Sequence, residues 1–276
     1  MKKRNKLVAV LLSCCMAVAL FAGCGNNDKG TAENDNNQGE QIEVSEEDKY
    51  GGTLRIGMAA VANNIDPVKY TGVYETAIIE NIGDTLVVYS DDLSEFLPSL
   101  ATEWEVNEAG NEYTFKLRED VYFHPGKFQD GRQMTAEDVK YSLERSHNES
   151  ALARLAMLDH CEVIDDFTVK CVLPNPDASF LPALTNGGNV IVPKEEVEGW
   201  GDEFGAHFVG TGPFMMKEWK TDEAVEFVRS ENFWGGDVYL DGLNFVYITD
   251  INQRVNALKN GDIDIACIPN GFSGLV

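Results

Sequence analysis

Residues 101–145 constrain the fold of this chain most, because strand, turn, loop and helix signals follow one another there without interruption. Tyr113, Phe115 and Leu117 alternate with threonine and lysine, which is the period-2 pattern of a strand with one buried face. An earlier strand ends near Val106, and a turn containing glycine joins the two. A two-stranded hairpin is therefore predicted, followed by a Gly/Pro loop.

The same stretch ends in a helix start. Thr135 precedes Asp138 by three residues, so its hydroxyl can cap a free backbone N–H while the carboxylate lies in the positive first turn. A short helix over 150–158 and an apolar strand over 190–192 are predicted farther along the chain. These signals indicate a mixed α/β fold, and 276 residues, 43% of them hydrophobic, suffice for one or two domains.

Charge and motif content exclude several classes of function. The net charge of −24 repels nucleic acid and anionic lipid, so no nucleic-acid partner is expected. The sequence contains neither G-x-S-x-G nor H-E-x-x-H, and its four histidines lack metal-ligand spacing. We therefore predict no catalytic residues, metal or cofactor. The enzyme alternative is a surface hydrolase using dispersed acids such as Asp130 and Asp138, but the helix start already accounts for Asp138.

The N-terminal segment has the pattern of an export signal. Residues 1–6 are basic and 7–23 are apolar and small, too short for a stable membrane span. The run L-F-A-G before Cys24 resembles the lipobox of bacterial lipoproteins, although Phe21 departs from the usual aliphatic residue. The resemblance implies cleavage at residue 23 and a lipid on the Cys24 thiol. The alternative is an ordinary signal peptide with an incidental cysteine.

Residues 24–49 are predicted to be a disordered acidic linker, because they contain too few apolar residues to offset chain entropy. The lipid would then hold the protein on the extracytoplasmic face of the bacterial plasma membrane.

Several motifs together resemble one protein family. They are Trp104, Y-T-F-K-L-R at 113–118, V-x-F-H at 121–124, Gly131, T-A-E-D-V at 135–139, G-T-G-P-F at 210–214, N-F-W at 232–234 and R-x-x-x-L-x-x-G-D-I-D-I-A at 254–266. The chain resembles the extracellular solute-binding proteins of ABC importers, family 5, the dipeptide, oligopeptide and nickel class. The glycines of the G-T-G-P-F turn are expected to permit positive φ.

The resemblance implies an α/β, periplasmic-binding-protein-like type II fold of two lobes (cluster C). Residues 50–84 and 189–276 would form parts of the first lobe, and residues 85–188 a satellite α/β subdomain. Family members are roughly twice this length, so the chain is expected to lack most of the second lobe.

A ligand site is expected at the loop after the first strand. In open α/β sheets the carboxyl ends of strands face the ligand crevice, and the resemblance implies the same position. Arg154 could hold a ligand carboxylate, because a guanidinium binds two oxygens at once. The alternatives are ordinary packing for the loop residues and, for Arg154, a surface or core-edge arginine. The candidate ligand-binding residues are Met58, Ala60, Val61, Asn63, Arg154, Asn270 and Phe272.

A second hairpin places two cysteines on facing strands. Cys161 and Cys171 lie on either side of an Asp-Asp turn, and a disulfide is permitted in an exported protein. Strand register decides the pairing, and a two-residue loop would place Cys161 opposite Lys170 instead. Cys267 would remain unpaired.

The resulting hypothesis is a monomeric, lipid-anchored receptor that captures a peptide-like solute and delivers it to an ABC permease. One alternative is a receptor for a nickel chelate or another small solute. The other is a truncated surface lipoprotein that does not transport, such as a sensor or adhesin.

Overall fold

A five-stranded and a four-stranded sheet, each with its own hydrophobic core, organise residues 49–268, which are the residues that the computed structural model describes; a separate two-stranded sheet pairs residues 87–89 with 96–98. The strands are β1 (Thr53–Met58), β2 (Val87–Tyr89), β3 (Phe96–Pro98), β4 (Ala101–Val106), β5 (Glu112–Leu117), β6 (His160–Asp165), β7 (Thr168–Val172), β8 (Phe214–Lys220), β9 (Ala224–Arg229), β10 (Gly242–Tyr247) and β11 (Ile265–Ala266). The α-helices are α1 (Val73–Ile79), α2 (Ala136–Glu149), α3 (Phe180–Leu184), α4 (Lys194–Trp200) and α5 (Ile251–Asn260), and short 3₁₀ helices occupy Gly187–Asn189 and Gly201–Ala206. None of these described helices is long and apolar enough to cross a bilayer.

The larger sheet has the strand order β11-β1-β10-β9-β8. Strand β1 pairs in parallel with β10 and β11, whereas β9 is antiparallel to both β10 and β8. The carboxyl ends of β1, β8, β10 and β11 therefore meet at one edge of the sheet. Phe227 and Phe245 pack beneath this sheet in the same core as Phe204 and Phe208.

The smaller sheet is antiparallel, with the order β4-β5-β7-β6. Its strand β5 buries Tyr113, Phe115 and Leu117, the three residues whose alternation predicted a buried face. Helix α2 packs against this sheet and begins at Ala136, directly after the predicted cap. The helix starts where the sequence pattern predicted, and Asp138 in its first turn accepts the Thr135 backbone N–H at 2.9 Å and the Thr135 hydroxyl at 3.3 Å.

The cysteine hairpin has a bulge that the sequence did not indicate. Asp165 pairs with Thr168, but Val163 pairs with Val169, so one residue of β6 is left over between them. This extra residue shifts the register by one position and places Cys161 directly opposite Cys171. The alternative pairing of Cys161 with Lys170 is absent from this hairpin.

Two predicted elements are irregular in the structure. Residues 150–158 form turns and not a helix, because the Ala151 N–H donates to the Val68 carbonyl and Ala153 has a positive φ of 49°. Residues 190–192 are buried but outside both sheets, with the Ile191 N–H bonded to the Asp84 carbonyl. The next donor, the Val192 N–H, bonds to the side-chain oxygen of Ser142, so no strand ladder continues along 190–192.

The G-T-G-P-F turn requires its glycines for close approach, and not for positive φ as predicted. Neither Gly210 nor Gly212 has a positive φ. A Cβ at Gly210 would overlap the Ile82 carbonyl oxygen, and one at Gly212 would lie 2.6 Å from the Ile82 carbonyl carbon.

Candidate functional site

The loop over 59–72, which joins β1 to α1, lies at the edge where four strands of the larger sheet have their carboxyl ends. Its first residues continue from Met58, whose carbonyl accepts the Ile248 N–H at 2.9 Å just beyond β10. The loop therefore starts from a fixed backbone position. We call residues 59–72 the edge loop.

A buried ion pair fastens the edge loop to helix α2. Arg145 Nη1 and Nη2 donate to the two carboxylate oxygens of Asp66 at 2.8 and 2.7 Å. Asp66 is fully buried and Arg145 is 7% exposed. Burial opposes the charged guanidinium, but the hydrogen bonds and charge of Asp66 outweigh it, so the pKa of Arg145 lies above its ordinary value.

Asp66 also shapes the turn of the loop. Its side chain accepts the Val68 N–H at 3.2 Å, and its carbonyl accepts the N–H groups of Lys69 and Tyr70. Its own N–H donates to Asn64 Oδ1 at 2.7 Å. One carboxylate thus links the conformation of the edge loop to its attachment on α2.

Arg154 holds the other end of the edge loop. Its Nη2 donates to the Tyr70 carbonyl at 2.9 Å, and its guanidinium lies 4.1 Å from the centre of the Tyr70 ring. Nη1 contacts Ser150 Oγ at 3.1 Å and the Pro67 carbonyl at 3.4 Å. These contacts correspond to the core-edge alternative, and since a guanidinium has five N–H donors, the ligand-carboxylate role stays a prediction.

A cavity of about 860 Å³ opens beside the first half of the edge loop. Val61 and Asn63, two of the predicted residues, line it, whereas Met58 lies in the core and Ala60 and Arg154 are not among its lining residues. Asn270 and Phe272 lie outside the described residues, as does the predicted lipid site at Cys24. The opposite walls come from 124–127, 200–209 and 215–222.

His124 is a buried polar group in the cavity wall. Its Nε2 lies 2.8 Å from the Gly212 carbonyl, so Nε2 carries the proton and donates. Burial lowers the pKa of His124 to about 4, although the Gly212 contact opposes the shift. The imidazole is neutral at physiological pH, and its Nδ1 has no hydrogen-bond partner among residues 49–268.

An aromatic group forms a second part of the wall. The rings of Trp200 and His207 stack with their centres 3.5 Å apart, and Lys127 Nζ lies 4.2 Å from the Trp200 ring centre. The buried Glu196 accepts Trp200 Nε1 at 3.1 Å and the Phe128 N–H at 2.6 Å. Glu196 therefore fixes both the indole and the adjoining loop.

This arrangement suits non-covalent capture of a polar organic solute. It offers aromatic rings and charged side chains of both signs among its lining residues. Within 49–268 no three histidine, cysteine or acidic side chains group as metal ligands. The sequence motifs include His124 but give no signal for Trp200, because the lining residues are spread from Val61 to Asp222 along the chain.

Comparison with known proteins gives a consistent set of matches. Residues 95–273 match the family described as "Bacterial extracellular solute-binding proteins, family 5 Middle". The di/tripeptide-binding protein 2 of Pseudomonas aeruginosa is 29% identical over 239 residues, 79% of this chain and 45% of that protein.

Two solved structures extend the comparison. DppA from Helicobacter pylori, in complex with the peptide STSA, is 30% identical with a TM-score of 0.74, covering 81% of this chain and 48% of that one. NikZ from Campylobacter jejuni, in complex with Ni(L-His), is 29% identical with a TM-score of 0.72, covering 80% and 44%. The chain therefore spans less than half the length of each of these three proteins.

Proposed function

Since this chain belongs to the bacterial extracellular solute-binding proteins of family 5, we propose that it forms part of a receptor that captures a peptide-like solute and delivers it to an ABC permease. The family is one of binding proteins and not of enzymes, so the hydrolase alternative is abandoned. The observation that carries the proposal is the edge loop, which the Asp66–Arg145 pair holds beside an aromatic-walled cavity.

We assign the chain segments as the family resemblance implied. Residues 50–84 and 189–276 form the first lobe, and residues 85–188 form the satellite subdomain. The sheet composition supports this division, because β1 and β8–β11 share one sheet while β4–β7 form the other. Solute would bind between the first lobe and a second lobe that the relatives' greater length accommodates.

The family places the protein outside the cytoplasm. We propose in addition that Cys24 carries a lipid and that residues 24–49 are the tether between the membrane and the receptor. The receptor would act as a monomer, because one solute molecule is enclosed by the lobes of a single chain.

A peptide-like solute fits the chemistry of the cavity. The exposed His207 ring, stacked on Trp200, offers a flat face for a side chain or peptide plane, and charged side chains of both signs line the same cavity. Two relatives named for di- or tripeptides or solved with a peptide support the choice. The relative solved with Ni(L-His) keeps a nickel chelate as the second candidate.

The test is a calorimetric binding screen on the protein expressed from the complete gene. We expect a di- to pentapeptide to bind at a ratio of one to one, and Trp200→Ala to weaken that binding. Binding of Ni(L-His) but of no peptide would select the second candidate. A protein that is folded by circular dichroism but binds neither class would refute the proposal.

A further inference from the structure

Two cysteines meet inside the smaller sheet. Cys161 on β6 lies directly opposite Cys171 on β7, and their sulfur atoms are 3.3 Å apart. Both side chains are fully buried. The bulge between Val163 and Asp165 produces this register, because a regular hairpin would offset the two residues by one position.

The sheet geometry matches what a disulfide requires. Directly opposed residues on antiparallel strands have Cα atoms about 4.5–5.5 Å apart, inside the range of about 4.4–6.8 Å that disulfides span. The sulfur atoms need to approach from 3.3 Å to about 2.05 Å, which side-chain rotation can provide without separating the strands.

We propose that Cys161 and Cys171 are a disulfide site and are joined covalently once the protein reaches an oxidising compartment. The family is extracellular, and disulfides persist outside the reducing cytosol. Cys267, the third cysteine among residues 49–268, is exposed and follows β11 at the edge of the other sheet. It is therefore a poor competitor for either buried thiol.

The bond would form by thiol–disulfide exchange. One thiolate attacks an oxidant disulfide and releases one oxidant thiol, leaving a mixed disulfide. The second cysteine then attacks the protein-bound sulfur and releases the second oxidant thiol. Overall, the two protein thiols lose two electrons and two protons, and one oxidant disulfide is reduced to two thiols.

Helix α2 determines when this exchange can occur. The Cys161 N–H donates to Glu144 at 2.9 Å and its carbonyl accepts Lys140 Nζ at 2.8 Å, so α2 is fastened over the thiols. The contact with Cys161, and after it burial, raise the pKa of the Cys171 thiol well above its ordinary value. The exchange therefore belongs to folding, before α2 packs, and the folded reduced protein would oxidise slowly.

The bond would stabilise the sheet that carries α2 and, through Arg145, the edge loop. It closes a loop of about 11 residues, for which the chain-entropy relation gives roughly a 100-fold larger folding equilibrium constant. The oxidised protein should therefore unfold at higher urea concentration than the reduced protein.

Peptide mapping tests the proposal directly. The full chain is exported to the periplasm of a host cell, purified without reductant, denatured, alkylated with iodoacetamide and cleaved with trypsin. Trypsin cuts after Lys170, so Cys161 and Cys171 fall in separate peptides, 155–170 and 171–194. We expect these peptides to be recovered as one linked species without alkylation, with Cys267 alkylated. Separate alkylated peptides, or a link to Cys267, would overturn the proposal.

Urea unfolding gives an independent readout. Reduction of the wild-type protein should lower its folding equilibrium constant by roughly 100-fold, and reduction of Cys171→Ala should change it little. Cys267→Ser is the matched control and should respond to reduction as the wild type does. Equal unfolding midpoints for the oxidised and reduced wild-type protein would contradict the stabilising role.

Discussion

Breaking the Asp66–Arg145 pair should destabilise the protein far more than breaking an exposed ion pair. Asp66→Asn keeps the shape of the side chain and an oxygen for the Val68 N–H, but it leaves the guanidinium of Arg145 buried without its counter-charge. Removing one partner of a buried pair costs about 3–5 kcal/mol. Glu149, which lies 3.2 Å from Arg145 Nε, retains part of the pairing, so we expect a loss of about 3 kcal/mol.

Urea unfolding followed by circular dichroism measures this loss. With an m-value of about 3 kcal/mol per M, the unfolding midpoint should fall by about 1 M. The matched control is Glu198→Gln, which breaks an exposed ion pair in which Glu198 Oε1 lies 3.5 Å from Lys194 Nζ. That control should change the free energy of unfolding by less than about 1 kcal/mol.

A double-mutant cycle separates the interaction free energy of Asp66 and Arg145 from the effect of each substitution alone. Asp66→Asn combined with Arg145→Met removes both charges, so no unpaired charge remains buried. The double variant should then be more stable than the sum of the two single losses predicts, by at least about 1 kcal/mol. Additive losses, or an Asp66→Asn loss no larger than that of Glu198→Gln, would refute the reasoning.

Three further substitutions test other parts of the site. Glu196→Ala removes the acceptor of two backbone N–H groups and of Trp200 Nε1. The free energy of unfolding should therefore fall by about 2–3 kcal/mol, and the tryptophan fluorescence should shift. An unchanged urea unfolding midpoint would contradict the role of this carboxylate. The pKa of His124 is about 4 in the folded protein, below its ordinary value of 6.5. Between these two values the unfolded chain binds a proton that the folded protein does not, so the free energy of unfolding should fall by up to about 3 kcal/mol as the pH drops from 6.5 towards 4. His124→Asn should remove this part of the pH dependence in urea titrations at pH 4–7, and parallel profiles for variant and wild type would exclude it. Gly210→Ala should destabilise by more than about 1 kcal/mol because its Cβ would overlap the Ile82 carbonyl, and a thermal midpoint equal to that of the wild type would show that the turn can relax.

The family and the fold class were predictable from the sequence, and both predictions are confirmed. The prediction succeeded where local signals agree with the fold. The alternation around Phe115 marks a strand with one buried face, and the Thr135–Asp138 pattern marks the start of α2. Such features depend on neighbours within one turn or one strand, so they can be recognised before any tertiary contact is known.

The remaining features depend on contacts between distant residues. The bulge that sets Cys161 opposite Cys171 gives no local sequence signal, and the sequence left the register open. The predicted helix over 150–158 failed because Ala151 bonds to the edge loop. Likewise, Arg154 was visible as a polar residue among apolar neighbours, but its contact with Tyr70 requires the fold.

The residues of the candidate site also fall into a predicted and an unpredicted group. Val61 and Asn63 were predicted from their position after a strand, and both line the cavity. His124 and Trp200 were not predicted, because only the folded chain brings their segments to the edge loop. The individual ligand-binding assignments stay predictions.

Hydrogen–deuterium exchange of the complete gene product, with and without a bound peptide, tests most directly whether the edge loop takes part in solute binding. Peptide should slow exchange at residues 59–72 and at the cavity wall over 124–127, while exchange in β4 and β6 at the edges of the smaller sheet should stay unchanged. Stoichiometric peptide binding without added protection in either segment would contradict this prediction.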